Sequence, residues 1–165
     1  MIEIRDLSDA EIDDLLKRVG YGHLACSKND EPYVVPIHFA YVHETLLVYT
    51  TEGKKSEIID QNPRVCIQAE EVVDIQNWQS VIVDGVAEQI IGATEREKAL
   101  KAITQVNPTL TPAVSIHWLD EWIRENVEVV YRITPTRMTG RRGIPSPTDD
   151  ADLVPGDDRT RSRVY

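Results

Sequence analysis

The sequence has few basic residues, little cysteine and no long apolar run. Its 165 residues hold 18 Lys and Arg against 28 Asp and Glu, a formal net charge of −10. An acidic surface repels phosphate backbones and anionic lipid, so neither nucleic acid nor a membrane is expected as a partner. An anionic ligand would need a local basic island. No segment approaches the roughly 20 apolar residues that span a bilayer. The start, Met1 to Asp6, lacks a basic stretch followed by an apolar one, so no signal peptide and a cytoplasmic location are expected. The two cysteines, Cys26 and Cys66, sit far apart in apolar, strand-like runs and read as buried free thiols of a reducing compartment. No Cys/His spacing suggests a metal site, and no internal repeat is visible.

What is present is one domain's worth of globular chain, 41% hydrophobic and 28% charged, enough to bury a single core. Ser8 and Glu11 form a capping box ahead of Ile12, Leu15, Leu16 and Val19 at helical spacing, with Gly20 and Gly22 as the stop. Strands are expected at about 23–27, 33–41, 45–51, 64–70, 78–91 and 127–134, on β-branched and aromatic content between turn residues. Pro36 marks an edge or bulge in the second, and Gly85 a bulge in the fifth. Short helices are expected over 54–61 and 94–105, the latter capped by Thr94 and Glu97, and over 112–126, carrying Trp118 and Trp122 on one face. About six strands joined by short turns predict a mainly β fold, a small antiparallel β-barrel with flanking helices. The domain is placed at 1–142. Residues 143–165, rich in proline and aspartate, read as a polar tail.

The most informative stretch runs from Tyr49 to Pro63. A strand ends in Gly53 and a helix begins at once with Lys54-Lys55-Ser56. The N-terminus of a helix carries unpaired N–H groups and positive dipole, where two lysines are unfavourable unless an anion joins them. A phosphate there would be bound by both lysines, with Thr50, Thr51 and Ser56 supplying hydroxyls. Read from these residues alone, a solvated lysine pair is the alternative.

This stretch resembles the pyridoxamine 5′-phosphate oxidase superfamily, whose strand–turn–helix reads approximately Y-T-N-x-x-S-R-K-x-x-[DE]-L-x-x-N-P. Tyr49, Thr50 and Asn62-Pro63 match, and Gly53-Lys54-Lys55 stands where S-R-K is usual. Ser80 to Gly85 is similar to the family's Q-V-R-V-E-G strand. His23-Leu24-Ala25 followed by Tyr33 to Phe39 is nearest the nitroimidazole-resistance branch. The matches cover about residues 21–91.

The resemblance implies a six-stranded FMN-binding split barrel, acting as a homodimer with the cofactor at the interface. It implies FMN phosphate on Lys54 and Lys55, Thr50 and Ser80 bonded to phosphate or ring atoms, and the backbone of Pro36, Ile37, His38 and Phe39 along the isoalloxazine. The implied activity is reduction of a small organic acceptor, of nitro or quinone type, with His38 as proton donor or carboxylate binder. Three other readings stay open: a flavin carrier or sensor without turnover, a haem-binding split barrel, and a deazaflavin-dependent reductase. No Arg-x-His pair stands near the C-terminus, so the resemblance does not extend to vitamin B6 oxidation. Arg141 and Arg142 form a second basic pair, read as solvated or as a contact for cofactor or substrate anion.

Overall fold

Two tight turns set the register of the first three barrel strands. Asn29 and Asp30 (φ 51° and 63°), and His43 and Glu44 (φ 49° and 59°), are left-handed pairs that fit the twist of a two-residue hairpin. The computed structural model describes residues 2–107 and 127–145. Its elements are β1 (Ile2–Asp6), α1 (Asp9–Arg18), β2 (Tyr21–Lys28), β3 (Glu31–Val42), β4 (Thr45–Thr51), α2 (Lys54–Gln61), β5 (Arg64–Val72), β6 (Trp78–Gln89), α3 (Ala93–Val106) and β7 (Glu128–Pro145). All pairings are antiparallel, in the order β1-β7-β4-β3-β2-β5-β6. A further β6–β7 pairing joins the ends, so six strands close into a barrel and β1 adds to the far end of β7.

Side chains alternate along each strand, so neighbouring residues serve different cores. Phe39, Leu24, Ile67, Val81 and Val83 fill the barrel, joined by Leu15 and Leu16 of α1 and Ile58 and Ile59 of α2. Ala40, next to Phe39, faces outward with Tyr49 and Val130. There they meet Ala99 and Ile103 of α3. The outer face of β2, β5 and β6 has no such cover among the described residues. A continuous row, Pro36–His23–Gln68–Ile82, crosses four strands there.

The expected elements that fall among the described residues are present, with several corrections. A seventh strand, β1, pairs with residues 141–145, too far along the chain for any local signal to announce it. β7 does not stop at Thr134: Pro135 lies opposite Gly85 at the β6–β7 register shift, where the irregular ladder accommodates a residue without an N–H. The strand therefore passes the boundary placed at 142 and continues to Pro145. Helix α1 ends at Arg18 with Val19 as its cap, and Gly22 belongs to β2. A Cβ on Gly22 would lie 2.3 Å from the Gln68 carbonyl oxygen, so close strand approach explains this glycine. Gly92, not Thr94, caps α3. Pro36 sits where β3 has β2 as its one ladder partner, since β4 pairs β3 over His38–Val42. The helix expected over 112–126, with His117, Trp118 and Trp122, and the tail residues 146–165 lie outside the described residues.

Candidate cofactor site

The candidate site is built where β4 hands over to α2. Glu57 N–H is the first to close on a helical carbonyl, that of Gly53 at 3.2 Å, so the amides of Lys54, Lys55 and Ser56 precede the helical ladder. Gly53 N–H donates instead to Ser56 Oγ at 3.0 Å, and Ser56 is buried. The Ser56 hydroxyl oxygen thus holds the turn, a structural duty beside any contact with a ligand.

The two lysines approach the same strand pair. Lys54 Nζ lies 5.0 Å from the centre of the Tyr33 ring. Lys55 Nζ donates to the Thr51 carbonyl at 2.7 Å. Burial draws the Lys55 ammonium below the usual lysine value, with the nearby Cys26 opposing. Tyr33 and Cys26 are direct partners across β2 and β3. A desolvated ammonium bonded to a neutral carbonyl is costly unless an opposite charge arrives. Among the described residues no salt bridge engages Lys54 or Lys55. A cavity of about 280 Å³ adjoins Lys54, lined also by Lys28, Asn29, Tyr33, Glu31 and Glu57. An anion there would meet Lys54 and Lys28, with the carboxylates of Glu31 and Glu57 also in the lining, while Lys55 does not line this cavity.

The other expected residues lie on β3, at the end of β4 and on β6. Pro36 and His38 face outward on β3. Ile37 and Phe39 are 4% and 0% exposed, so their side chains belong to the barrel core and only their backbone is left for the expected contact with a ring. Phe39 also has its backbone committed: its N–H donates to Gly20 O at 2.9 Å and its carbonyl accepts from Asn107 Nδ2 at 3.1 Å. Thr50 and Thr51 end β4 opposite Val129 and Glu128. Ser80 lies on β6 in a different cavity, of about 640 Å³, with Trp78, Ile82, Met138 and Arg141. Within one chain, Ser80 and the lysines are not brought together.

His38 is half-buried. Its Nδ1 is 3.0 Å from Asn107 Oδ1, and its ring meets Tyr21 edge-on at 5.5 Å. Asn107 and Tyr21 were not legible as site residues: Asn107 follows α3 and stands 69 positions from His38. His23 faces Gln68 at 3.2 Å, and His43 occupies its hairpin turn. Arg142 donates to Glu11 at 2.9 Å and Arg141 approaches Asp6 at 3.6 Å, so this pair ties β7 to α1 and β1. Cys26 is a buried thiol and Cys66 a half-buried one, both free. Among the described residues no cluster of His, Cys, Asp or Glu could hold a metal.

A closed six-stranded antiparallel barrel with one appended strand and helices at its surface defines a split β-barrel. The chain belongs to the pyridoxamine 5′-phosphate oxidase family, whose sequence profile matches residues 8–142. A FAD-binding protein of Mesorhizobium loti is 30% identical, with 88% of this chain and 100% of that one covered and a TM-score of 0.69. A Bacteroides thetaiotaomicron structure, described as a 5-nitroimidazole antibiotic resistance protein, shares the fold at 22% identity and a TM-score of 0.65, with 87% and 89% covered. An uncharacterized protein of Rhizobium meliloti is 32% identical over 82 residues. That match takes in 50% of this chain and 54% of that curated relative, so the chain spans about half its relative's length.

Proposed function

We propose that this protein binds FMN, with the phosphate at the start of α2, and uses the flavin to reduce a small organic acceptor. The observation that carries the reading is Lys55: a half-buried ammonium at a helix N-terminus, with a backbone carbonyl as its hydrogen-bond acceptor. A phosphate dianion supplies the missing charge, and the free amides of the first turn add donors. The flavin, when bound, supplies hydride transfer. The chain's own residues bind and orient it: Lys54 and Lys55 hold the phosphate, Thr50 adds a hydroxyl, and Pro36 and His38 present the outer face of β3.

Ser80 lies apart from the lysines in one chain, which favours a homodimer in which each subunit completes the other's site. The outer face of β2, β5, β6 and the first half of β3, uncovered among the described residues and with Tyr21, Val34 and Ile82 exposed, supports such a pairing. A cytoplasmic location fits the two free thiols.

The test is the visible spectrum of the purified protein before and after flavin addition, with released cofactor identified by mass. FMN recovered from a yellow protein supports the reading. FAD, the ligand named for the Mesorhizobium relative, would keep the flavin and replace the FMN assignment. A protein that takes up no flavin would overturn it.

A further inference from the structure

The hydrogen bonds around Asn107 fix where His38 carries its proton. The Asn107 amide has one donating and one accepting end. Its Nδ2 lies 3.1 Å from the Phe39 carbonyl oxygen and 3.3 Å from that of Ile103, and both oxygens can only accept. The donating end is therefore committed to them, and the accepting Oδ1 is turned to His38 Nδ1 at 3.0 Å. A carbonyl oxygen cannot donate, so Nδ1 must. A neutral imidazole has one N–H, which leaves Nε2 with a bare lone pair.

The seat of this amide is built from three elements. Asn107 caps α3, with its own N–H on Ile103 O at 2.9 Å. Phe39 belongs to β3 and bonds Gly20 O. A Cβ on Gly20 would lie 2.6 Å from Asn107 Nδ2, so the glycine at this point makes room for the amide.

We propose that Asn107 is a positioning residue: it holds neutral His38 in the Nδ1–H tautomer, leaving Nε2 as the proton-accepting atom. An incoming group that carries O–H or N–H meets an acceptor at Nε2. His38 then serves as a proton donor from this atom only after it has taken a proton there. The bearing on turnover rests on the flavin reading, but the tautomer does not, and it is read without flavin or substrate.

The experiment is nitrogen NMR of the imidazole side chains in the full chain, at a pH where the ring is neutral, with His38→Gln to assign the signals. The expected wild-type pattern is a protonated Nδ1 and an unprotonated Nε2 at His38. Asn107→Ala should move the proton to Nε2, the form a free neutral histidine prefers. Asn107→Asp keeps an acceptor facing Nδ1 and should retain the wild-type tautomer. Both variants lose the donors to Phe39 and Ile103, so a merely structural role would move both alike. If Asn107→Ala does not fold, Gly20→Ala displaces the same amide and should give the same change. A wild-type His38 protonated at Nε2, or a tautomer unchanged in Asn107→Ala or its substitute, would overturn the proposal.

Discussion

At the scale of single residues, charge and burial decide what each side chain can do. Tyr41 donates to Asp13 Oδ1 at 2.9 Å, and Tyr49 to Glu128 Oε1 at 2.7 Å. Burial first, and these bonds second, push both phenols from 10.0 up to about 12. The folded state thus keeps a proton that the unfolded chain releases from about pH 10. The stability from the pairs is complete below that pH and is lost as pH rises through about 12. Unfolding followed from pH 9 to 12 should show this decline, and Tyr49→Phe should flatten it. At neutral pH the same substitution should cost about 1–3 kcal/mol, read by denaturant titration. An unchanged alkaline slope in Tyr49→Phe would remove Tyr49 from that account.

At the scale of elements, two local devices carry measurable stability. Ser8 Oγ accepts from Glu11 N–H at 3.4 Å, while Glu11 accepts from Ser8 N–H at 2.8 Å. Ser8→Ala should lower stability by about 1 kcal/mol at neutral pH. These bonds hold the Glu11 carboxyl below its usual value, with the Ser8 backbone bond as the largest cause. Ser8→Ala keeps that backbone bond and removes the hydroxyl's bond to Glu11 Oε2 at 2.9 Å, so only this smaller part of the penalty should fade as pH falls and the carboxyl protonates. Gly22→Ala forces a methyl against the Gln68 carbonyl and should cost about 1–3 kcal/mol or more in thermal or denaturant unfolding. A tolerated Gly22→Ala would mean that β2 and β5 part more easily than this packing allows.

The same scale shows what the sequence could announce. The bounds of β4 and α2 were legible because a β-branched run, Gly53 and Asn62-Pro63 all act locally. The second half of β7 was not, because Pro135 reads as a stop until its partner, the Gly85 bulge, is known. β1 was hidden for the same reason, its partner being Arg141 to Pro145. Helix electrostatics alone left the lysine pair open between a phosphate site and a solvated pair, and the family resemblance is what turned the reading toward phosphate. The committed backbone of Phe39, the inward side of Ile37 and the Asn107 clamp depend on register and distant contacts, which no short window holds.

At the scale of the whole molecule, closure of six strands leaves one broad outer face uncovered among the described residues and sets the cavity beside Ser80 apart from the one beside Lys54. Sedimentation equilibrium should give twice the 18.7 kDa chain mass. A persistent monomer would leave Ser80 and the lysines in separate sites and would remove Ser80 from cofactor binding. The acidic chain, at −10, has to bind an anion through a local device rather than a general attraction.

That device is the central claim, and a fluorescence titration with FMN and with riboflavin, on the wild type and on the Lys54→Ala, Lys55→Ala double variant, tests it most directly. Charge-assisted bonds are worth about 1.5–3 kcal/mol each, so wild type should bind FMN on the order of a hundredfold or more tighter than riboflavin. The double variant should lose most of that difference while keeping its riboflavin affinity. Equal affinity for the two flavins in wild type, or an unchanged preference in the double variant, would contradict a phosphate site at the start of α2.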